Sequence, residues 1–125
     1  MTSPKSDILH ILGDEISLGE RREINFNVAK LHTTTTIEDP VIIERSKKPG
    51  PVVLFTAGIH GDEVNGVEII RQLIAKGINK PRKGTIICIP VINIFGFLHM
   101  EREFPDGRDL NRVFPGSKNG SLASQ

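Results

Sequence analysis

The chain has 125 residues, 38% apolar and 25% charged, enough for one domain, or part of one, with a real core. Lys and Arg number 16 against 15 Asp and Glu, and the basic pairs Arg21-Arg22, Lys47-Lys48 and Arg82-Lys83 are scattered, so no field points to nucleic acid or to an anionic membrane. No apolar run approaches the roughly 18 residues of a membrane span or opens the sequence as a signal peptide, and the single Cys88 cannot form an internal disulfide; a soluble cytoplasmic protein is expected.

Ile8-Leu9-His10-Ile11-Leu12 is a short apolar patch closed by Gly13, readable as a helical turn or as a strand. Ile24, Phe26 and Val28 then alternate with Asn25 and Asn27, the two-residue period of a half-buried strand. The β-branched run Thr33 to Ile37 reads as another strand, and Asp39-Pro40 as a turn before Val41-Ile42-Ile43. His10 and His32 have no spaced partners and read as ordinary surface or interface residues. Lys47-Lys48-Pro49-Gly50 marks a boundary, which sets off residues 1–49 as a small β-rich N-terminal section.

Past it the pattern changes. Pro51 to Ala57 is a continuous apolar run bounded by Pro and Gly, the pattern of a strand buried on both faces. Val64, Val67, Ile70, Leu73 and Ile74 follow with the spacing of an amphipathic helix, which Gly77 would cap. Thr85 to Ile92 reads as a second buried strand, ended or bulged at Pro90, with Cys88 as a buried thiol. Strand, helix, strand predicts a βαβ unit, hence parallel strands and a right-handed crossover. From Asn93 the chain turns polar and glycine-rich, a long loop carrying Arg102, Arg108, Asp109, Asn111 and Arg112, and Ser121 to Gln125 reads as the first turn of a helix. The expected class is α/β, a mainly parallel or mixed sheet flanked by helices.

Chemistry concentrates in Gly58-Ile59-His60-Gly61-Asp62-Glu63-Val64-Asn65-Gly66. His60 and Glu63 stand three apart at the C-terminal end of a strand, where Gly58 and Gly61 let the backbone turn. Zinc takes imidazole nitrogen and carboxylate oxygen, and a catalytic site holds it with three protein ligands and an open position. We therefore read His60 and Glu63 as two zinc ligands. The competing reading of the glycines as a phosphate cradle fails on spacing and on charge, because Asp62 and Glu63 stand where phosphate would sit. Arg102, Arg108 and Arg112 are candidates for holding a substrate and polarising its carbonyl, against a plain surface charge network with Glu101, Glu103, Asp106 and Asp109.

Three blocks in order, Gly58 to Glu63, Pro90-Val91-Ile92-Asn93 with Gly96, and Arg108-Asp109-Leu110-Asn111-Arg112-Val113-Phe114-Pro115-Gly116, resemble the succinylglutamate desuccinylase/aspartoacylase family of zinc carboxypeptidase-like enzymes. The resemblance covers about residues 50 to 120. It implies that residues 50–125 are the N-terminal part of a zinc hydrolase domain that cleaves an amide or ester of an N-acylated amino acid. His60 and Glu63 match the first two zinc ligands, Asn111 and Arg112 the pair that binds a substrate carboxylate, and Arg102, or else Arg108, the arginine that polarises the scissile carbonyl. The family's third zinc ligand and catalytic glutamate have no counterpart here; His99 precedes the Asn-Arg block and does not match. The sequence is therefore expected to be inactive alone, to expose apolar surface, and to pair with a C-terminal portion or form a homo-oligomer. A non-enzymatic module with a weak metal site is the alternative.

Overall fold

The computed structural model describes residues 7–30 and 36–125. They fall into two compact units, Met1–Phe55 with Leu73–Ile89 and Thr56–Gln72 with Pro90–Gln125. The first is a sheet with a hairpin packed on it. Strands β1 (Ile8–Ile11) and β2 (Asp14–Ser17) pair antiparallel around Leu12 and Gly13, both with positive φ, as a two-residue hairpin turn with right-handed strand twist requires. The apolar patch at the start of the chain is thus a strand.

Strands β3 (Arg21–Lys30) and β4 (Thr36–Arg45) pair antiparallel, and β6 (Thr85–Ile89) joins the other side of β4 with Ile42 opposite Cys88. With β5 (Val52–Thr56) the sheet order is β3-β4-β6-β5. Alternate residues of β4 meet the hairpin: Val41 and Ile43 are buried with Ile16 and Ile87, and Leu9, Ile11, Ile24 and Ile89 pack around them. Arg45 continues this face. Its buried guanidinium donates to the carbonyls of Ile16 and Asp7, to Asp7 Oδ1 and to Thr85 Oγ1, so the charge enters the interior with four of its five N–H groups bonded among the described residues.

Two expectations are corrected in this unit. Asp39-Pro40 is not a turn: both residues lie within β4, opposite Phe26 and Asn25. β6 contacts β4 only from Ile42 to Arg45, so Pro40 sits where β4 has one neighbour and its missing N–H costs no ladder bond on the other side. The run Val52 to Phe55 is not buried on both faces: it forms the edge strand β5, and all four side chains are exposed among the described residues. The other strand, β6, has Thr85, Ile87 and Cys88 buried and ends before Pro90. Burial raises the pKa of the Cys88 thiol, with the Glu44 charge adding to it. The Thr33–Ile37 expectation is met only by Thr36 and Ile37 in β4; Thr33 to Thr35 and His32 lie outside the described residues. His10 is exposed beside Glu15.

Helix α1 (Asn65–Ala75) turns Val67, Ile70, Leu73 and Ile74 inward. It ends in a Schellman motif: Gly77, at φ 68°, donates to Ile74 O and Ile78 to Leu73 O. In the second unit, Ile92 N–H donates to Ala57 O and Asn93 N–H to Gly58 O, both at 2.9 Å. The paired positions advance together, so the segments leaving β5 and β6 run parallel. The stretch after Asn93 is not an unstructured loop, because it opens with helix α2 (Ile94–His99), capped by the Asn93 side chain and closed by Met100 in the left-handed conformation. Short 3₁₀ turns follow at Leu110–Arg112 and Leu122–Ser124. Among the described residues no helix is long and apolar enough to cross a membrane.

One buried group opposes folding. Asp39 is 4% exposed, its Oδ1 has no hydrogen-bond partner among the described residues, and burial raises its pKa from 3.8 to about 6. The folded chain then holds this proton more tightly than the unfolded chain, so stability falls as pH rises from about 4 through 6. The full cost, roughly 3 kcal/mol at 1.36 kcal/mol per pH unit, is present above that window. Asp39→Asn is expected to raise stability at pH 7 by up to that amount, with the gain fading by pH 4. Urea denaturation of both proteins at the two pH values measures it, and an equal ΔΔG at both would refute the assignment.

Candidate metal and substrate site

The parallel pairing that continues past β5 and β6 brings the two segments out side by side, and the chemistry lies beyond it. Gly58, with φ 62°, turns the first segment away after its carbonyl has accepted from Asn93 N–H. Two residues later His60 is buried, while Glu63 at the start of the approach to α1 remains exposed. Gly61 between them is required by contact: a Cβ there would fall 1.9 Å from Gly96 C and 2.3 Å from Phe97 N. The loop carrying His60 therefore lies directly against the backbone of α2.

The imidazole is held from one side. Its Nε2 is 2.9 Å from Asp109 Oδ1, and the same oxygen accepts Asn111 N–H at 3.0 Å, capping the 3₁₀ turn Leu110–Arg112. A carboxylate accepting at Nε2 places that ring proton on Nε2 and leaves Nδ1 as the free lone pair in the neutral ring. Nδ1 is buried and has no hydrogen-bond partner among the described residues, although Glu63 Oε2 stands 3.2 Å away. The contact is close but out of hydrogen-bonding alignment.

An imidazole lone pair and a carboxylate oxygen this close repel unless a positive centre lies near both. A proton is one such centre: the hydrogen bond to Asp109, and less strongly the nearby Glu63 carboxylate, raises the His60 pKa against the opposing effects of burial and Arg102. A divalent cation is the other. Two ligands about 2.1 Å from a tetrahedral zinc stand roughly 3.4 Å apart, close to the observed spacing, so the donor set fits the metal. Among the described residues no group of three or more His, Cys, Asp and Glu side chains converges to hold an ion; His60 and Glu63 contribute two.

Arg102 spans the carboxylates around the histidine. Its Nη1 is 3.6 Å from Glu63 Oε1 and its Nη2 is 3.4 Å from Asp109 Oδ2. Arg112 Nε lies 3.9 Å from Asp109 Oδ2, with the side chain largely exposed. Arg108 is turned elsewhere and faces Asp106 at 3.8 Å. Asn111 enters this group through its backbone, and its exposed side chain makes no hydrogen bond among the described residues. His99 is bonded to Phe95 O and is not part of the group.

Asp109 is the residue that sequence reasoning left among surface charges. It accepts from His60 and Asn111 and faces two arginines, and the His60 hydrogen bond is the main cause of its lowered pKa. A signal for it existed. A histidine read as a metal ligand requires an acceptor for its second nitrogen, and Asp109 sits two residues before Asn111, the position of an N-capping carboxylate.

The model of the succinylglutamate desuccinylase/aspartoacylase catalytic domain matches residues 49–125. The chain is 35% identical over 77 residues to the N-alpha-acetyl-L-2,4-diaminobutyric acid deacetylase of Halomonas elongata, an alignment covering 61% of this chain and 22% of the relative. It superposes on an aspartoacylase family protein of Mesorhizobium loti with a TM-score of 0.72 and 31% identity, over 98% of this chain and 38% of that one. A succinylglutamate desuccinylase/aspartoacylase of Rhodobacter sphaeroides gives a TM-score of 0.69 at 30% identity, over 83% and 33%. The chain thus spans well under half the length of these relatives. With the catalytic-domain match running through the His60 loop, the α2 segment and the Asp109 turn alike, it belongs to the succinylglutamate desuccinylase/aspartoacylase family.

Proposed function

We propose that the chain carries the first part of the active site of a zinc-dependent deacylase, one that hydrolyses an amide or ester of an N-acylated amino acid or a similar carboxylate-bearing small molecule. The observation that carries this reading is the buried Nδ1 lone pair of His60 facing Glu63 Oε2, with Nε2 held by Asp109. His60 Nδ1 and Glu63 would hold the zinc, and family membership supports the reaction class. Zinc supplies Lewis-acid polarisation of a carbonyl and acidifies water at neutral pH.

The remaining roles belong to side chains around His60. Asp109 orients the imidazole and keeps Nδ1 unprotonated in the neutral ring. Arg102, beside Glu63 and Asp109, would present a permanent positive charge to a carbonyl oxygen bound over His60. Arg112, exposed and only loosely paired, offers a planar pair of donors for a substrate carboxylate, and Asn111 adds a neutral amide on the same turn. A third ligand and a general base would come from the further polypeptide that the longer relatives contain. The absence of a third converging donor among the described residues equally suits a binding module with a weak metal site.

Zinc titration by calorimetry tests the metal assignment. We expect binding by the wild-type chain and none by the His60→Ala/Glu63→Ala double variant; equal heats from both would sink it. Asp109→Asn should weaken zinc about 10- to 100-fold without removing a ligand, the usual cost of losing the carboxylate behind a ligating histidine. In the complete catalytic domain, chelator-sensitive hydrolysis of N-acyl amino acids is expected, with Arg102→Met lowering kcat about 10²-fold. Zinc uptake without any chelator-sensitive turnover would favour the binding module.

A further inference from the structure

Asn93 is 0% exposed and stands at the end of the parallel segment leaving β6. Its Oδ1 accepts Gly96 N–H at 2.9 Å, an ordinary helix cap. The other half of the carboxamide is less ordinary. Nδ2 lies 3.4 Å from Ile59 O, 3.3 Å from Arg102 O and 3.2 Å from Glu103 O, three carbonyls from two separate segments sharing two N–H groups. One of these carbonyls belongs to the residue before His60, and another to Arg102 itself.

The backbone around the amide is closely packed. A Cβ on Gly96 would sit 2.7 Å from both Asn93 Nδ2 and Glu101 O, and one on Gly61 would strike Gly96, Phe97 and Glu101 O. Asn93 is also tied through its backbone, donating to Gly58 O and accepting from Phe97 N–H. The metal-ligand loop, the start of α2 and the segment bearing Arg102 thus meet on one buried amide.

We propose that Asn93 is a positioning residue: its carboxamide clamps the Ile59 carbonyl to those of Arg102 and Glu103 and so sets where His60 and Arg102 stand relative to each other. The proposal rests on the zinc deacylase reading for its consequence, and on the hydrogen bonds alone for its geometry. A helix cap needs only an acceptor, which Asp supplies as well as Asn. The clamp needs donors. Asn93→Asp therefore keeps the cap while pointing a carboxylate oxygen at three carbonyls, which separates the two roles.

The test has a wild-type arm and a variant arm. In the wild-type chain, NMR should find the Asn93 side-chain NH₂ protons exchanging at least about tenfold more slowly than those of exposed Asn111, the worth of one buried hydrogen bond. Equal rates would overturn the proposal whether or not any variant folds. In Asn93→Asp, backbone amide exchange should accelerate around Ile59–Gly61 and Arg102–Glu103 while the β3–β4 ladder is unchanged, and zinc affinity should fall about tenfold. Unaltered exchange in both segments, or acceleration spread evenly over the chain, would refute the clamp. Should the wild-type chain take up no zinc, the functional reading fails, while the two exchange measurements still decide on Asn93.

Discussion

The contact between His60 Nε2 and Asp109 Oδ1 is the constraint on which the site depends. It joins residues 49 apart in sequence, and it decides which imidazole nitrogen is left free. Asp109 can do this because it is anchored itself: it caps the 3₁₀ turn through Asn111 N–H and is flanked by Arg102 and Arg112. A charge-assisted bond of this kind is roughly twice as strong as a neutral one, so it outweighs the looser pairs around it. Loss of this contact would leave the ring free to rotate and the Nδ1 lone pair without a fixed direction.

That contact forms only because the backbone first delivers its two loops to the same place. The segments beyond β5 and β6 remain paired in parallel through Ala57–Ile92 and Gly58–Asn93, and each turns away directly after the pairing. Gly61 then presses against α2 where no side chain would fit. Parallel pairing followed by divergence is how α/β sheets create a crevice at their C-terminal strand ends. Here the crevice receives a histidine from one segment and, sixteen residues beyond Asn93, its carboxylate.

The elements that sequence reveals and those it hides divide along physical lines. The helix carrying Val67, Ile70, Leu73 and Ile74, the strand that opens at Thr85 and the nearness of His60 to Glu63 were legible because each depends on local periodicity or spacing, whereas Val64 lies exposed before the helix and Val91-Ile92 beyond the strand. Asp109 and Asn93 were not, because their importance lies in partners from distant segments that no period encodes. Asp39-Pro40 misled for a related reason: Pro forbids a ladder bond only where a second strand is present, and β6 stops short of it. The run Val52 to Phe55 has the composition of an interior strand but occupies an edge, so composition reported preference and not setting. Arg102 and Arg108 could not be told apart in sequence, since only five residues of loop separate them and only the fold shows which carboxylates each one meets.

The separations around Arg102 bear on how the site would treat a ligand. At 3.4 and 3.6 Å, its contacts with Asp109 and Glu63 exceed the usual 2.7–3.2 Å of a directional hydrogen bond, and the side chain is half exposed. Such pairs contribute at most about 1 kcal/mol, so the guanidinium is held near the site by charge and not locked into it. His60 is the opposite case, buried and fixed by a bond of 2.9 Å. The site therefore pairs a rigidly held histidine with an arginine whose donors can be redirected at little cost. A substrate oxygen arriving over His60 would compete with long contacts and not with short ones, which is the arrangement a carbonyl-polarising cation requires.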